Sequence, residues 1–100
     1  MIKYEVEVDD GYKQWYLNDK LHREDGPAVE WSDGSKFWYL NGKLHREDGP
    51  AVEYPNGSKR WYLNGKLVLE KDVMGHTITF DGKEIKISEE SYRNLKENLK

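Results

Sequence analysis

The sequence predicts a mainly β fold, an antiparallel meander of 23-residue β-hairpin repeats that ends in a C-terminal α-helix cap. Three observations support this prediction. Tryptophan recurs every 23 residues, each period contains two turn-forming dipeptides, and the chain ends in an amphipathic helical segment. We therefore expect a single domain over residues 1–100, with the repeat array at 4–69 and a hairpin-plus-helix cap at 70–100.

The repeat is visible as near-identical blocks of sequence. The tryptophans that mark it are Trp15, Trp38 and Trp61. Blocks 15–37 and 38–60 are identical at 18 of 23 positions, and residues 61–67 begin a third copy that diverges at Val68. A half-copy at residues 5–11 precedes the first block. Because so short a repeat cannot bury a sheet face alone, successive copies are expected to stack and to need a terminal cap.

Each repeat contains two turn signals. The pairs Asn18-Asp19, Asn41-Gly42 and Asn64-Gly65 favour type I′ hairpin turns, in which both central residues have positive φ. The same turn is expected half a repeat later, at Asp10-Gly11, Asp33-Gly34 and Asn56-Gly57. The aromatic and β-branched runs between these turns are typical of strands, and they predict two or three short strands per repeat.

A two-residue loop at Asp33-Gly34 would fix the cross-strand register. It would place Trp31 opposite Lys36 and Val29 opposite Trp38. One sheet face then carries Val29, Trp31, Trp38 and Leu40 and is the expected core. The other face carries a tyrosine row, which we define as Tyr16, Tyr39 and Tyr62. A register shift of one residue would exchange these faces.

The C-terminal third is expected to cap the array. Residues 77–87 predict one more hairpin around Asp81-Gly82, and Ser88 is a good helix N-cap followed by acidic residues. Apolar side chains then recur at helical spacing, at Tyr92, Leu95 and Leu99. We expect a helix from about Glu89 to Leu99 that lies over the last hairpins and covers an open sheet edge.

The composition excludes several function classes. Charged residues make up 35% of the chain and its formal net charge is −3, so no basic stripe indicates nucleic acid and no long apolar segment indicates a membrane. The absence of cysteine excludes thiolate chemistry, and the chain begins without an apolar leader, so a cytoplasmic location is expected. No nucleotide-binding or hydrolase motif is present, and we expect neither enzyme activity nor a cofactor.

The segment His-Arg-Glu-Asp, at residues 22–25 and 45–48, is the one cluster with plausible chemistry. In one interpretation His22 and His45 join nearby carboxylates around a divalent metal, as in a metal hydrolase. In the other, the segment is a turn before Gly-Pro in which aspartate bonds backbone N–H groups and arginine pairs with glutamate. The second interpretation is favoured because the motif recurs with the repeat, and exposed loops seldom support metal ligands.

The string Asn41–Glu53, with Trp-Tyr before it, resembles the variant MORN repeats of bacterial, phage and giant-virus proteins. The resemblance covers roughly residues 5–69 and ends at 68–71, where the His-Arg-Glu-Asp segment is lost. It implies an array of β-hairpins that serves as a binding scaffold without an agreed active site. It further implies a small phage accessory protein that acts on a host factor, such as a defence system.

The expected function is non-catalytic binding of a host protein by the sheet surface, with inhibition by steric occlusion. The tyrosine row is either half of a two-sided packed sheet or an exposed binding surface, with Trp31 and Tyr54 as further candidates. The alternative function is sequestration of a nucleotide-like ligand between repeats, with Arg23, Arg46 and Trp31 as contacts. The N-terminal edge at Tyr4–Val8 is also exposed to strand pairing, which would give a homodimer.

Overall fold

The computed structural model describes residues 3–69 and 72–98. These residues form antiparallel β-hairpin sheets followed by one C-terminal helix, which confirms the predicted fold class. The molecule measures 40 × 31 × 19 Å, and its radius of gyration of 14.1 Å exceeds the ~13 Å typical of a compact 100-residue domain. The difference is small, and the molecule is a compact unit flattened along its 19 Å axis.

The strands are short and their bounds follow the repeat. In chain order they are β1 (Glu5–Asp9), β2 (Tyr12–Leu17), β3 (Lys20–Leu21), β4 (Val29–Trp31), β5 (Lys36–Phe37), β6 (Tyr39–Leu40), β7 (Lys43–Leu44), β8 (Val52–Glu53), β9 (Lys59–Arg60), β10 (Tyr62–Leu63), β11 (Lys66–Leu67), β12 (Val73–Met74), β13 (Thr77–Phe80) and β14 (Lys83–Lys86). The helix α1 spans Glu89–Asn98. Each full repeat contributes four strands, so the expected two or three per repeat was wrong.

A long antiparallel sheet runs through the array in the order β1-β2-β4-β5-β8-β9, with β3 paired to the end of β2. Beside it, β6-β7 and β10-β11 form separate hairpins, and β12-β13-β14 form the sheet of the cap. Trp38 lies between β5 and β6, and Trp61 occupies the same place between β9 and β10. At each of these tryptophans the chain leaves the long sheet and enters a short hairpin.

Backbone hydrogen bonds spaced one period apart join successive hairpins. The Gly42 N–H donates to the Leu21 carbonyl at 2.8 Å, and one repeat later the Gly65 N–H donates to the Leu44 carbonyl at 2.8 Å. Both glycines occupy the second central position of a type I′ turn, with φ of 79° and 81°. The copies therefore stack as predicted, because the turn of each hairpin supplies a donor to the hairpin before it.

The turn at Asp33-Gly34 differs from the prediction. Gly34 has a φ of 100°, but Asp33 does not have positive φ, and the Trp31 N–H donates to the Ser35 carbonyl at 2.9 Å. The loop therefore contains three residues, closed by the Asp33 carboxylate, which accepts the Ser35 N–H at 2.8 Å. That hydrogen bond and a second one to Ser35 lower the pKa of Asp33. The loop at Asn56-Gly57 repeats this arrangement, so type I′ turns were wrong at both positions.

The extra loop residue exchanges the predicted faces of the repeats. Val29 pairs with Phe37 rather than with Trp38, so Val29 and Trp31 lie on the same sheet face as the tyrosine row. Placing Trp31 in the core beside Trp38 was therefore wrong, and Trp31 is 45% exposed. Ala28, which is fully buried, takes the place opposite Trp38.

The half-copy at the start of the array keeps the opposite register. The two-residue loop Asp10-Gly11 pairs Asp9 with Tyr12 and Val6 with Trp15. Neither loop residue has positive φ, so the expected type I′ turn is wrong here as well. The valines of β1 consequently lie on the tryptophan side of the sheet, whereas their counterpart Val29 lies on the tyrosine side.

The main hydrophobic core lies where the last repeat meets the cap. Its buried members are Trp61, Leu63, Val68, Ile78 and Leu95. Ser88 caps the helix by accepting the Ser91 N–H at 3.1 Å, and the Ser91 hydroxyl donates to the Asp48 carbonyl at 2.9 Å, which ties the helix to the second repeat. The helix therefore lies over the last hairpins as expected. Leu99, the last member of its predicted stripe, lies outside the described residues.

Shortening the central side chain of this core should destabilise the protein. Leu95 is fully buried, so Leu95→Ala is expected to lower the free energy of unfolding by about 2–5 kcal/mol through lost apolar contact and a residual cavity. Urea denaturation measures this change. The exposed neighbour is the matched control, since Lys96→Ala should stay within about 0.5 kcal/mol of wild type. Equal effects of the two substitutions would contradict the packing of the helix on the array.

Candidate functional site

The first two tryptophans of the array are covered by arginine side chains from their own repeats. The guanidinium carbon of Arg23 lies 4.0 Å from the Trp15 ring centre, and that of Arg46 lies 4.0 Å from the Trp38 ring centre. A planar guanidinium over an indole face gains cation–π attraction as well as packing. Each indole is thereby covered by a side chain that stays partly solvated.

The glycine after each motif makes room for the arginine. A Cβ atom at Gly49 would lie 2.8 Å from the guanidinium carbon of Arg46. The same guanidinium donates to the Asp48 carboxylate at 3.0 Å, to the Pro50 carbonyl at 3.0 Å and to the Glu53 carboxylate at 3.3 Å. In the first repeat the equivalent arginine makes the aspartate and proline contacts with similar geometry. The expected arginine–glutamate pairing within the motif is therefore replaced by arginine–aspartate pairing.

The histidines of the motif also bind within the fold. The Nδ1 atom of His22 accepts the Asn41 N–H at 2.9 Å, and its Nε2 atom lies 3.2 Å from the Glu24 carboxylate. His45 repeats both contacts, with the Asn64 N–H and the Glu47 carboxylate. Since Nδ1 accepts, the neutral ring carries its proton on Nε2. Across residues 3–69 and 72–98, no three histidine or acidic side chains are grouped as metal ligands would be.

A groove of about 550 Å³ lies between the motifs of the first two repeats. Its lining includes Trp38, Leu40 and both motif arginines, together with the carboxylates of Glu24, Asp25, Glu47 and Asp48. The arginines proposed as ligand contacts are thus present, but each already pairs with the aspartate of its own motif. Trp31 does not line this groove, so the structure does not bring together the three predicted contacts of a nucleotide-like ligand.

The opposite side of the sheet is rich in aromatic side chains, and we call it the aromatic face. Its members are Tyr12, Tyr16, Trp31, Phe37, Tyr39, Tyr54 and Tyr62. Trp31 and Tyr54, at equivalent positions of successive repeats, are the most exposed of these, at 45% and 40%. Each packs against a neighbouring ring, Trp31 against Tyr12 at 5.6 Å and Tyr54 edge-on against Phe37 at 6.0 Å.

The tyrosine row forms the half-buried border of this face. Burial is the largest cause of a raised pKa at Tyr39, and Tyr54 and Tyr62 raise it further. Tyr39, the middle member of the row in chain order, therefore lies close to both Tyr54 and Tyr62. The hydroxyl of Tyr16 donates to the Gln14 side chain at the first end of the row.

The tryptophan side of the sheet carries charges of alternating sign. Cross-strand pairing places Lys13, Glu30, Lys36, Glu53 and Lys59 in one row across the array. Opposite charges directly across neighbouring strands stabilise a sheet and offset each other. This row does not provide the continuous basic groove that single-stranded nucleic acid requires.

Comparisons with known proteins do not assign the chain to a family. No family model, curated protein or solved structure matches it. No helix formed by the described residues has the length and apolar character needed to cross a lipid bilayer.

The structure groups the predicted site residues in two places. Tyr16, Tyr39, Tyr62, Trp31 and Tyr54 share the aromatic face. On the other side, Arg23 and Arg46 cover the tryptophans of their own repeats, and His22 and His45 each accept a backbone N–H from the next repeat. Tyr12 and Phe37 were not among the predicted site residues. The structure reveals their contribution, because Tyr12 packs against the exposed ring of Trp31 and Phe37 packs against the exposed ring of Tyr54.

Replacing the stacked arginine should test whether it supports the repeat. Arg46→Lys keeps the charge but loses the planar guanidinium and its forked hydrogen bonds, so we expect the free energy of unfolding to fall by about 1–3 kcal/mol. Urea denaturation measures the loss. The matched control is Arg60→Lys at an exposed position, which should change stability by less than about 0.5 kcal/mol. An Arg46→Lys protein with the same free energy of unfolding as the wild type would refute a structural role for Arg46.

The raised pKa of Tyr39 predicts a specific loss of stability in alkali. The fold favours the protonated phenol, so its contribution is complete below about pH 10 and is lost as the pH rises through the raised pKa. Between about pH 8 and pH 11 the wild type should lose more stability than Tyr39→Phe, which cannot ionise there. Urea denaturation at both pH values gives the comparison. Parallel losses in the two proteins would show that Tyr39 is not buried in the aromatic face.

Proposed function

We propose that this chain is a non-catalytic protein-binding module that docks a protein partner on its aromatic face. The observation that carries the proposal is the pair of exposed rings, Trp31 and Tyr54, that the repeat places on one sheet face, each supported by a second ring. Tryptophan and tyrosine are the side chains most often found at interface hot spots, because they bury large areas at low entropic cost.

The geometry of this face favours a protein over a small ligand. Trp31 ends β4 and Tyr54 directly follows β8, with β5 between these two strands in an extended sheet, whereas small molecules are usually enclosed by concave pockets. Backbone pairing and ring packing already hold the face in place, so docking would cost little conformational entropy. A module of this kind would inhibit its partner by covering a working surface.

The biological setting of the proposal comes from the resemblance to variant MORN repeats. The 23-residue period and the motif at Asn41–Glu53 support a cytoplasmic phage accessory protein that inhibits a host factor, such as a defence system. The stacked hairpins and the arginine-covered tryptophans give this repeat its physical basis. The partner would then be a host protein.

Sequestration of a small ligand is the second candidate function, and the groove between the first two motifs is the observation that favours it. Its volume of about 550 Å³ lies within the ~300–1,000 Å³ typical of ligand sites. Its four carboxylates outnumber its two arginines, however, which disfavours an anionic nucleotide. Protein binding through the aromatic face is therefore the function that the geometry supports better.

Removing the exposed rings should abolish partner binding without unfolding the protein. We expect the double substitution Trp31→Ala, Tyr54→Ala to lose capture of any specific host protein by the immobilised chain, at nearly unchanged melting temperature, because both rings are exposed. The matched control, Lys36→Ala with Lys59→Ala, alters the other face and should retain capture. If the first variant retained the partner and the second lost it, the aromatic face would not be the binding surface.

Ligand screening separates the two candidate functions. A small ligand that binds the folded state raises the melting temperature, and the rise grows with the logarithm of the ligand concentration once this exceeds the dissociation constant. We expect nucleotides at about 1 mM, divalent metals and EDTA each to leave the melting temperature unchanged. A rise with a nucleotide that disappears in Arg23→Gln would instead establish the groove as a ligand site.

A further inference from the structure

The strand β1 ends the long sheet at one side, and among residues 3–69 and 72–98 no strand pairs with its outer edge. All five of its residues are exposed, with Val6 at 43% and Val8 at 69%. An exposed strand of this length can accept another strand through backbone hydrogen bonds. The free backbone groups and the side chains of β1 therefore determine which kind of strand can pair with its outer edge.

The register shows which backbone groups of β1 are available. The Trp15 N–H donates to the carbonyl of Ala28, the residue before β4, and the Trp15 carbonyl accepts the His22 N–H, so the hydrogen-bonding groups of Trp15 point away from β1. Val6 lies opposite Trp15, and Val8 lies opposite Lys13 two residues along β2. In an antiparallel ladder these are the non-hydrogen-bonded pairs, so the N–H and C=O groups of both valines point outward from the sheet.

The side chains of β1 divide into an acidic side and an apolar side. Glu5, Glu7 and Asp9 lie on the side of the aromatic face, and the two valines lie on the tryptophan side. The Tyr12 hydroxyl donates to the Glu7 carboxylate, and this hydrogen bond is the main cause of the rise in the pKa of Tyr12 to about 12. The acidic side is thus connected to the aromatic face through Tyr12, which packs on Trp31.

These charges oppose the pairing of two copies of the chain. In an antiparallel two-fold arrangement centred on Glu7, that residue would face itself, and Glu5 would face Asp9. Like charges directly opposite each other destabilise a sheet. The expected homodimer at Tyr4–Val8 therefore meets electrostatic repulsion, and the same carboxylates would attract a strand with basic side chains.

We infer that the outer edge of β1 binds an extended protein segment in which basic and apolar residues alternate. The segment would add a strand to the long sheet, with its backbone paired to Val6 and Val8. Its lysines or arginines would lie beside Glu5, Glu7 and Asp9, and its apolar side chains beside the two valines. This site is separate from the exposed rings of the aromatic face, so it holds whether or not those rings bind a partner.

A blocked peptide of alternating lysine and valine is the probe, and amide NMR is the measurement. We expect shift changes and slowed hydrogen exchange at the Val6 and Val8 amides, with affinity that falls as salt is raised. A peptide of the same composition with lysines and valines in two blocks, and an alternating glutamate–valine peptide, should each bind at least about fivefold more weakly. No change at the β1 amides at millimolar peptide, or equal binding of the block peptide, overturns the inference.

A proline substitution tests the backbone contact directly. Val8→Pro removes an outward N–H that does not pair with β2, so the ladder should survive, as proline is tolerated at an edge position of this kind. We expect it to weaken peptide binding about fivefold, while Val8→Thr, which keeps the N–H, stays within about twofold of wild type. Unchanged binding by Val8→Pro overturns the inference, as does a dimer in sedimentation that Val8→Pro dissociates.

The exposed rings provide the control that separates this site from the aromatic face. The double substitution Trp31→Ala, Tyr54→Ala leaves β1 intact and should bind the alternating peptide as the wild type does. Loss of peptide binding in that variant, with Val8→Pro unaffected, would place the peptide on the aromatic face and overturn strand addition.

Discussion

The fold depends on how each repeat covers its tryptophan. A chain with 35% charged residues has little apolar material, and a 23-residue unit cannot enclose an indole ring alone. In the first two repeats an arginine lies 4.0 Å over the ring, between the indole and a glycine. In the third copy the arginine position is Leu69 and the ring of Trp61 is instead buried at 2% exposure by the cap. In the third copy, apolar side chains of the cap therefore cover the tryptophan, whereas in the first two repeats the arginine of the motif covers it.

The need to cover each tryptophan and to join successive repeats explains why the histidine and arginine of the His-Arg-Glu-Asp motif already have partners within the fold. The histidine of the motif accepts a backbone N–H of the next hairpin through Nδ1, and the arginine is held by aspartate, a proline carbonyl and an indole face. The histidine side chains therefore join successive repeats, and the arginine side chains stabilise their own repeat. On the aromatic face Trp31 and Tyr54 are exposed, and among the described residues no strand pairs with the outer edge of β1.

A difference of one residue in loop length gives β1 its distinct chemistry. The half-copy turns with two residues at Asp10-Gly11, whereas the full repeats turn with three residues at Asp33-Gly34 and Asn56-Gly57. The related strands thus present opposite faces. Val29 and Val52 are buried within the array, while Val6 and Val8 are exposed beside a row of carboxylates. The same sequence pattern becomes an internal strand in one place and an acidic edge in another.

The sequence by itself determined the period, the type I′ turns of the short hairpins and the capped helix, because each depends on local conformational preference. The sequence also predicted that the three tyrosines of the row occupy equivalent positions on one side of the sheet. Only the tertiary structure decided which other side chains lie on that side. An Asp-Gly pair suits a two-residue and a three-residue loop alike, and the choice depends on pairing with strands from neighbouring repeats. That choice moved Trp31 from the expected core to the exposed aromatic face, since side chains alternate strictly along a strand and a shift of one residue reverses them all.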